Sequence, residues 1–415
     1  MKIFGQHDEK TLIQLRDVAS RAEKAALMAD GHVGYVMPIG GVAAYRERVS
    51  VVGVGFDIAC GNAAIRTDLT TDELLGLGRA ELDANPHRVA QQRALSALAD
   101  EVFDTLSFGV GLKNQAADAP VDDPLFHDAA WWAIPNDGGF RDDLMNKARR
   151  QLGTIGGGNH YVDLFADEEG CIWVGVHFGS RGFGHTIASS FLSLSQGGAW
   201  GQRAREREVL LDVRDGVGAE YWALMNLAGR YAYAGREWVA RKVVSILGAS
   251  ETDLVHNHHN FAWREEHDGE ELIVVRKGAT PAFPGQRGFV GGSMGDDAVI
   301  LRGATPETGD RDLQEQALFS TVHGAGRVMG RMAAKGKWKK GRQVSSGRIT
   351  HEMMDRWLTR KGVVLRGGDL DEAPQAYRRL PDVLHAQART IEVLHTLRPL
   401  VVCMAPGDTV DPYKD

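Results

Sequence analysis

Residues 171–185 read CIWVGVHFGSRGFGH. Ile172, Trp173, Val174, Gly175 and Val176 form an alternating run that reads as a strand, and His177 closes it just ahead of the glycine-bearing string Gly179-Ser180-Arg181-Gly182. Working outward, short β-rich runs recur at 50–56, 271–276, 298–302 and 399–404. Between them, residues 10–28 carry Leu12, Leu15, Val18 and Ala22 at helical spacing. Residues 203–247 also read as helical, as one helix or as two broken near Gly216 and Gly218. Pro381 opens a last segment with Leu384, Ala388, Ile391 and Leu394 on one face, which predicts a terminal helix. Strands and helices mix without a βαβ rhythm, so the expected class is α+β, with mixed sheets surrounded by helices. No fixed-period repeat and no Pro/Ser-rich linker divides the chain, which predicts a single domain over residues 1–415.

Composition sets bounds on function. The chain has 43% hydrophobic and 25% charged residues, which suits a folded protein. A net charge of -7 offers no global attraction to a polyanion, so any nucleic-acid role must come from a local patch or bound metal. Cys60, Cys171 and Cys403 make no CxxC pair and no disulfide framework, which favours a reducing compartment. No run approaches the ~18 uncharged apolar residues of a membrane span, and the expected location is the cytoplasm.

The outlier is glycine, with 50 residues, and its placement is informative. Glycine strings lie beside histidines at Asp30-Gly31-His32, at Gly156-Gly157-Gly158-Asn159-His160, at His177-Phe178-Gly179 and at His323-Gly324-Ala325-Gly326-Arg327. Such loops aim amide N–H groups at anions and let ligands approach the backbone. Asp57 and Cys60 follow the run Val51 to Phe56, and His258-His259-Asn260 lies in a polar string. Taken singly, each is an ordinary buried residue; carboxylate, thiol and imidazoles together are the donor set of a transition-metal site. Ligand type alone names zinc, and there are enough donors for two ions if Cys60 bridges.

His323 supplies a nucleophilic imidazole and Arg327 a phosphate-binding guanidinium within five residues. No GxxxxGK[ST] string occurs, which excludes a P-loop. Residues 316–351 contain no Asp or Glu, yet carry Arg327, Arg331, Lys335, Lys337, Lys339, Lys340, Arg342 and Arg348. Trp338 lies among them as a base-stacking candidate, so this stretch reads either as a nucleic-acid-binding patch or as a solvated helix or loop face.

The strings DGHVGYVMPIGGVAAY, VGVGFDIACGN, LGTIGGGNHYVD, VHFGSRGFGH, HHNFAWREEH, VRKGATPAFPGQ, GGSMG, HGAGRVMGR and APQAYRRLPDVLHAQ occur in this order. As a set they resemble the RtcB-type RNA-splicing ligase family, from about residue 28 to 404, with a divergent tail at 405–415. The resemblance implies an RtcB-like fold and a cytoplasmic GTP- and manganese-dependent RNA ligase of tRNA splicing or RNA repair. Its substrates would be RNA 3′-phosphate or 2′,3′-cyclic phosphate ends and 5′-hydroxyl ends, with an archease-like activator as partner. It implies that His323 is guanylylated, and that Asp57, Cys60, His160, His177 and His259 hold two manganese ions bridged by Cys60, in place of zinc. Nucleotide contacts carry over to Asn159, His160, Asp163, Asn260, Ser293, Met294, His323, Gly324, Ala325 and Gly326.

Three positions depart from the family pattern. Asp163 stands for the glutamate of NHxxE, Ala298 for a serine, and Ala405-Pro406 for a terminal Lys-Gly pair, with Lys414 in the tail as a candidate substitute. These departures motivate a second reading, a paralogue that activates or caps 3′-phosphate ends with little sealing or altered nucleotide preference. A third is a non-catalytic metal-containing RNA-binding protein.

Overall fold

In the computed structural model, which describes residues 1–76, 85–339, 342–387 and 389–407, the Cys171–Phe178 strand lies inside an eight-stranded sheet. Hydrogen-bonded neighbours run Arg287–Val290, Ala298–Gly303, Ile391–Pro406, Tyr161–Ala166, Cys171–Phe178, Gly61–Thr70, Glu251–His258, and Val364–Gly368 joins Ile391–Pro406 in parallel. The two ends of this path meet. Phe289 N–H donates to Asn257 Oδ1 at 2.9 Å, Asn62 Nδ2 donates to the Phe289 carbonyl at 2.8 Å, and Arg287 grips Asp253 at 2.5 and 2.9 Å. Side-chain amides thus serve the edge groups that a further backbone ladder would have served, and the sheet is nearly closed. Its interior is filled by Phe165, Trp173, Phe289, Ile300 and Leu397. Gly175 is glycine because a Cβ there would lie 2.6 Å from the Phe165 ring and 2.9 Å from the Phe289 ring.

A second sheet holds Lys2–Ile3, Lys24–His32, Ile39–Tyr45, Glu270–Lys277 and Asn260–His267 in that order. The chain passes from the first sheet to the second at one residue, His259, between Glu251–His258 and Asn260–His267. The Gly216–Ile246 helix, 31 residues and about 46 Å long, buries Leu224, Met225, Tyr231, Ala232, Val239 and Val243. Helices and mostly antiparallel sheets are mixed, so the α+β expectation holds. Among the described residues no helix is long and apolar enough to cross a membrane.

Four element expectations are corrected. The first helix is Glu9–Ala19, not 10–28, because Lys24–His32 is buried along nearly its whole length and pairs as a strand. Val51–Val54 is a helical turn, started by Ser50 Oγ accepting from Gly53 N–H at 2.8 Å, although its β-branched content reads as strand. The 203–247 stretch contains a strand, Leu210–Asp212, before one unbroken helix; Gly218 lets that helix start against the Asp212 carbonyl rather than breaking it. The terminal helix is Leu380–Gln387, and Ile391 and Leu394 belong to the 16-residue strand Ile391–Pro406; Ala388 lies outside the described residues, as does Lys414.

Replacing Asn257 with Ala would leave the buried Phe289 N–H without its acceptor. The expected loss is about 1–3 kcal/mol in urea unfolding; an unchanged midpoint would show that Asn257 does not close the sheet.

Candidate metal centre and nucleophile

Strand register assembles the site. Gly61 pairs with Phe178 on one side and His258 on the other, and Tyr161 pairs with His177. Cys60, His160, His177 and His259 therefore emerge at one rim of the eight-stranded sheet. Cys60 Sγ lies 3.6 Å from His177 Nε2 and 3.8 Å from His160 Nε2, and Asp57 Oδ2 lies 3.1 Å from His160 Nε2. The donor atoms of Cys60, His160 and His177 all fall within 4.8 Å of one another.

Surrounding groups orient these donors. Asn62 spends its amide N–H on the Phe289 carbonyl, so its Oδ1, 2.6 Å from His177 Nδ1, accepts the Nδ1–H and leaves the His177 Nε2 lone pair facing Cys60. Arg181 donates to His160 Nδ1 at 3.1 Å. His259 stacks on His177 with centroids 5.1 Å apart, and among the described residues its buried Nδ1 has no hydrogen-bond partner, as expected of an imidazole that a cation would satisfy. The donor set and this orphaned nitrogen fit a metal centre. Two glycines make room for it: a Cβ on Gly179 would collide with the Asp57 carboxylate, and one on Gly156 with the Arg181 guanidinium.

Burial pushes the Cys60 thiol well up, with the Asp57 charge adding to it. For Asp57, burial alone would raise the carboxyl, but His160 and Arg181 outweigh it and bring it down to about 2. Burial pushes His177 and His259 well below the usual imidazole range, so both are neutral, the form that ligates a metal.

His323 follows the Ser320–Val322 strand and meets His259 edge-on at 5.1 Å between centroids. Buried Asp30 receives the His323 and Gly324 N–H groups on Oδ2 at 3.0 and 3.4 Å. The same oxygen lies 2.5 Å from His323 Nδ1, close but without the geometry of a hydrogen bond. Asn260 Oδ1 accepts from Gly278 N–H at 2.7 Å, and a Cβ on Gly278 would lie 3.2 Å from His323 Cε1. A Gly291–Gly324 bridge brings the loop bearing Ser293 and Met294 alongside Gly324, Ala325 and Gly326. Ser293 donates to Asp296 at 2.5 Å, and Arg379 holds Asp296 in a fork at 2.8 Å. Asn159 is exposed on the turn before His160. Asp163 is buried with Oδ1 unpaired among the described residues, and burial pushes its carboxyl well up. Ala298 packs inside the closed sheet with Phe165 and Trp173.

The basic segment is answered by acids remote in sequence. Arg327 donates to Tyr377 OH at 2.9 Å, to the Asp371 carbonyl at 2.7 Å and to Glu372 at 3.2 Å. Arg331 pairs with Asp371 and Glu372, and Lys335 with Asp369 at 2.9 Å. Lys337 is exposed, whereas Lys340 and the side chains of Trp338 and Lys339 lie outside the described residues. Sequence reasoning missed Asn62, Tyr377 and the roles of Arg181 and Asp30; only Arg181 and Asp30, each in a glycine string beside a histidine, carried a visible signal.

The family profile described as tRNA-splicing ligase RtcB matches residues 12–405. The chain belongs to the RtcB family of RNA-splicing ligases. It is 32% identical over 451 residues to the tRNA-splicing ligase RtcB of Archaeoglobus fulgidus, covering 91% of this chain and 86% of that one. It is also 31% identical over 406 residues to the RNA-splicing ligase RtcB of Escherichia coli K12, covering 91% and 89%. Similarity to the Thermococcus kodakarensis tRNA-splicing ligase RtcB is 31% over 472 residues, covering 95% and 91%.

Two measurements probe this RtcB-family site. Asn62→Ala frees the His177 ring and should weaken divalent-metal binding by about 10–100-fold in a chelator-competition titration; wild-type affinity would refute its orienting role. Lys277, next to Gly278, is buried with Nζ donating to the Val52 carbonyl at 2.8 Å, and burial lowers its pKa to about 8. The unfolded chain, with a lysine pKa of about 10.4, binds the proton more tightly, so stability should rise with pH between about 8 and 10.4. Relative to Lys277→Met, the wild type should gain about 3 kcal/mol over that window in urea unfolding; parallel curves would contradict the burial effect.

Proposed function

We propose that the chain seals RNA, joining 3′-phosphate or 2′,3′-cyclic phosphate ends to 5′-hydroxyl ends through a histidine–GMP intermediate on His323, with GTP as nucleotide. The observation that carries this reading is the His323 imidazole, held by buried Asp30 and set against the His259 edge of the donor cluster. Asp57, Cys60, His160, His177 and His259 are the residues to hold two manganese ions, which when bound neutralise phosphate oxygens.

Asp30 lies beside Nδ1 and favours the tautomer that carries the proton there, which leaves the Nε2 lone pair for attack, the role a carboxylate plays toward a catalytic imidazole elsewhere. His323 Nε2 forms a bond to the α-phosphorus as the bond to pyrophosphate breaks. A 3′-phosphate oxygen then takes the GMP and frees the imidazole, and the 5′-hydroxyl finally displaces GMP. Asn159, Asn260, Ser293 and Met294, with the amides of Gly324, Ala325 and Gly326, are the groups proposed to hold the nucleotide, and Asp163 the base. Exposed Lys337 is available to RNA phosphate, while Arg327, Arg331 and Lys335 present donors already oriented by Asp369, Asp371 and Glu372.

A second reading, end activation with altered nucleotide preference, is favoured by Asp163. Burial shifts this carboxyl toward its protonated form, which offers a base edge a donor as well as an acceptor, unlike an ionised acid.

One labelling experiment tests both. With manganese and each α-labelled nucleoside triphosphate, the wild type should acquire acid-labile label from GTP, His323→Ala should acquire none, and Asp30→Asn should label on the order of 10²–10⁴-fold more slowly. Labelling by ATP in preference to GTP supports the second reading, and a wild type that no nucleotide labels refutes both.

A further inference from the structure

Arg236 lies midway along the Gly216–Ile246 helix and is fully buried, yet among the described residues it has no carboxylate ion pair. Its donors go elsewhere. One terminal nitrogen donates to the Ala59 carbonyl at 2.9 Å and to the Phe178 carbonyl at 2.6 Å. The other meets His258 Nδ1 at 2.8 Å, and Nε donates to His256 Nε2 at 2.9 Å. Tyr233 closes this nest, stacked on His258 with centroids 3.9 Å apart. A buried cation without a directly paired carboxylate is costly, and apolar packing serves stability better, so stability alone does not explain it.

Its partners do. Ala59 precedes Cys60, Phe178 follows His177, and His258 precedes His259. Each of three donor-bearing segments therefore has a chain neighbour tied to the same planar group. Ala59 also sits at φ +60°, a left-handed conformation that a non-glycine residue keeps only when its surroundings enforce it. Its carbonyl is held by Arg236 and its N–H by the Asn260 carbonyl at 2.7 Å.

We propose that Arg236 is a positioning residue for the metal centre, a guanidinium hub that sets the mutual spacing of Cys60, His177 and His259 through the residues beside them. The proposal rests on the metal reading given above. Only a rigid fork meets four acceptors in these directions; a lysine ammonium, with one nitrogen, cannot reach them together.

The test is titration of metal-free protein with Co²⁺, read by the near-ultraviolet thiolate-to-cobalt band and the visible d–d bands, alongside the melting temperature of the metal-free form. Arg236→Lys should bind Co²⁺ about 10–100-fold more weakly with a diminished thiolate band. His256→Leu, which keeps the carbonyl contacts, should shift the same way, by roughly 10-fold at most. Wild-type affinity and spectrum in Arg236→Lys, even with a lowered melting temperature, would overturn the proposal by leaving only a packing role. Should Arg236→Lys fail to fold, wild-type cobalt binding by His256→Leu would overturn it. A wild type that binds no Co²⁺ would instead refute the metal reading itself.

Discussion

The site depends on the double pairing of Gly61. Its strand is hydrogen-bonded to Cys171–Phe178 on one side and Glu251–His258 on the other, and a Cβ on Gly61 would press within 2.8 Å of the His258 backbone. With that register, Cys60, the end of the His177 strand and His259 lie side by side. A slip of one residue would turn His177 to the opposite face and carry Cys60 away from it. The glycine is thus a condition for three donors to meet, and the closed sheet, pinned by Asn62 and Asn257, prevents the slip.

Electrostatics follows from that geometry. The rim concentrates buried groups whose preferred charge states conflict: an ionised Asp57, a thiol held protonated and imidazoles held neutral. Such a set is stable only with fixed compensation, and the fold supplies it as Arg181 against His160 and Arg236 beneath Ala59. The chain's net charge of -7 says little about this. The basic stretch after His323 is likewise absent from that total, since Asp369, Asp371 and Glu372 neutralise much of it locally while holding its donors in place.

What the sequence made legible was what short-range pattern encodes. Alternation marked Cys171–Phe178, and glycine strings marked the loops that carry His160, His177 and His323, because close approach needs glycine whatever the fold. The α+β class followed from element order. Val51–Val54 misled because β-branched residues read as strand while a single serine cap decides for a helical turn. Ile391 and Leu394 misled because a helical period continued by chance into a strand whose neighbours are remote. The roles of Asn62, Arg181 and Arg236 were hidden for a different reason. Each acts through a partner more than 20 residues away in sequence, and no local pattern distinguishes a buried arginine facing carbonyls from an exposed one. Donor softness named zinc and family resemblance named manganese, and these rest on different information: chemistry of the ligand atoms in one case, a shared order of motifs in the other.

The proposed nucleophile, His323, and the candidate metal donors belong to different sheets, and the way those sheets join sets the relation between them. Asp30 lies on the five-stranded sheet and holds the His323 N–H, His323 itself follows Ser320–Val322, which pairs with Ala279–Pro281 in a sheet of two, Cys60 and His177 lie on the eight-stranded side, and His259 with Asn260 is the crossing. Four backbone bonds among the described residues lock it: His259 and Asn260 N–H to the Cys60 carbonyl at 2.8 and 3.2 Å, Ala59 N–H to the Asn260 carbonyl at 2.7 Å and Ala279 N–H to the His259 carbonyl at 3.1 Å. Ala279 in turn pairs with Val322, the residue before His323. A continuous path of main-chain bonds therefore runs from the thiol to the imidazole, with His259 at its centre. Side-chain rotamers can adjust at either end without changing that path, so the spacing between nucleophile and metal donors is a property of the backbone, and Asp30 and Arg236 set the orientation of the two groups it brings together.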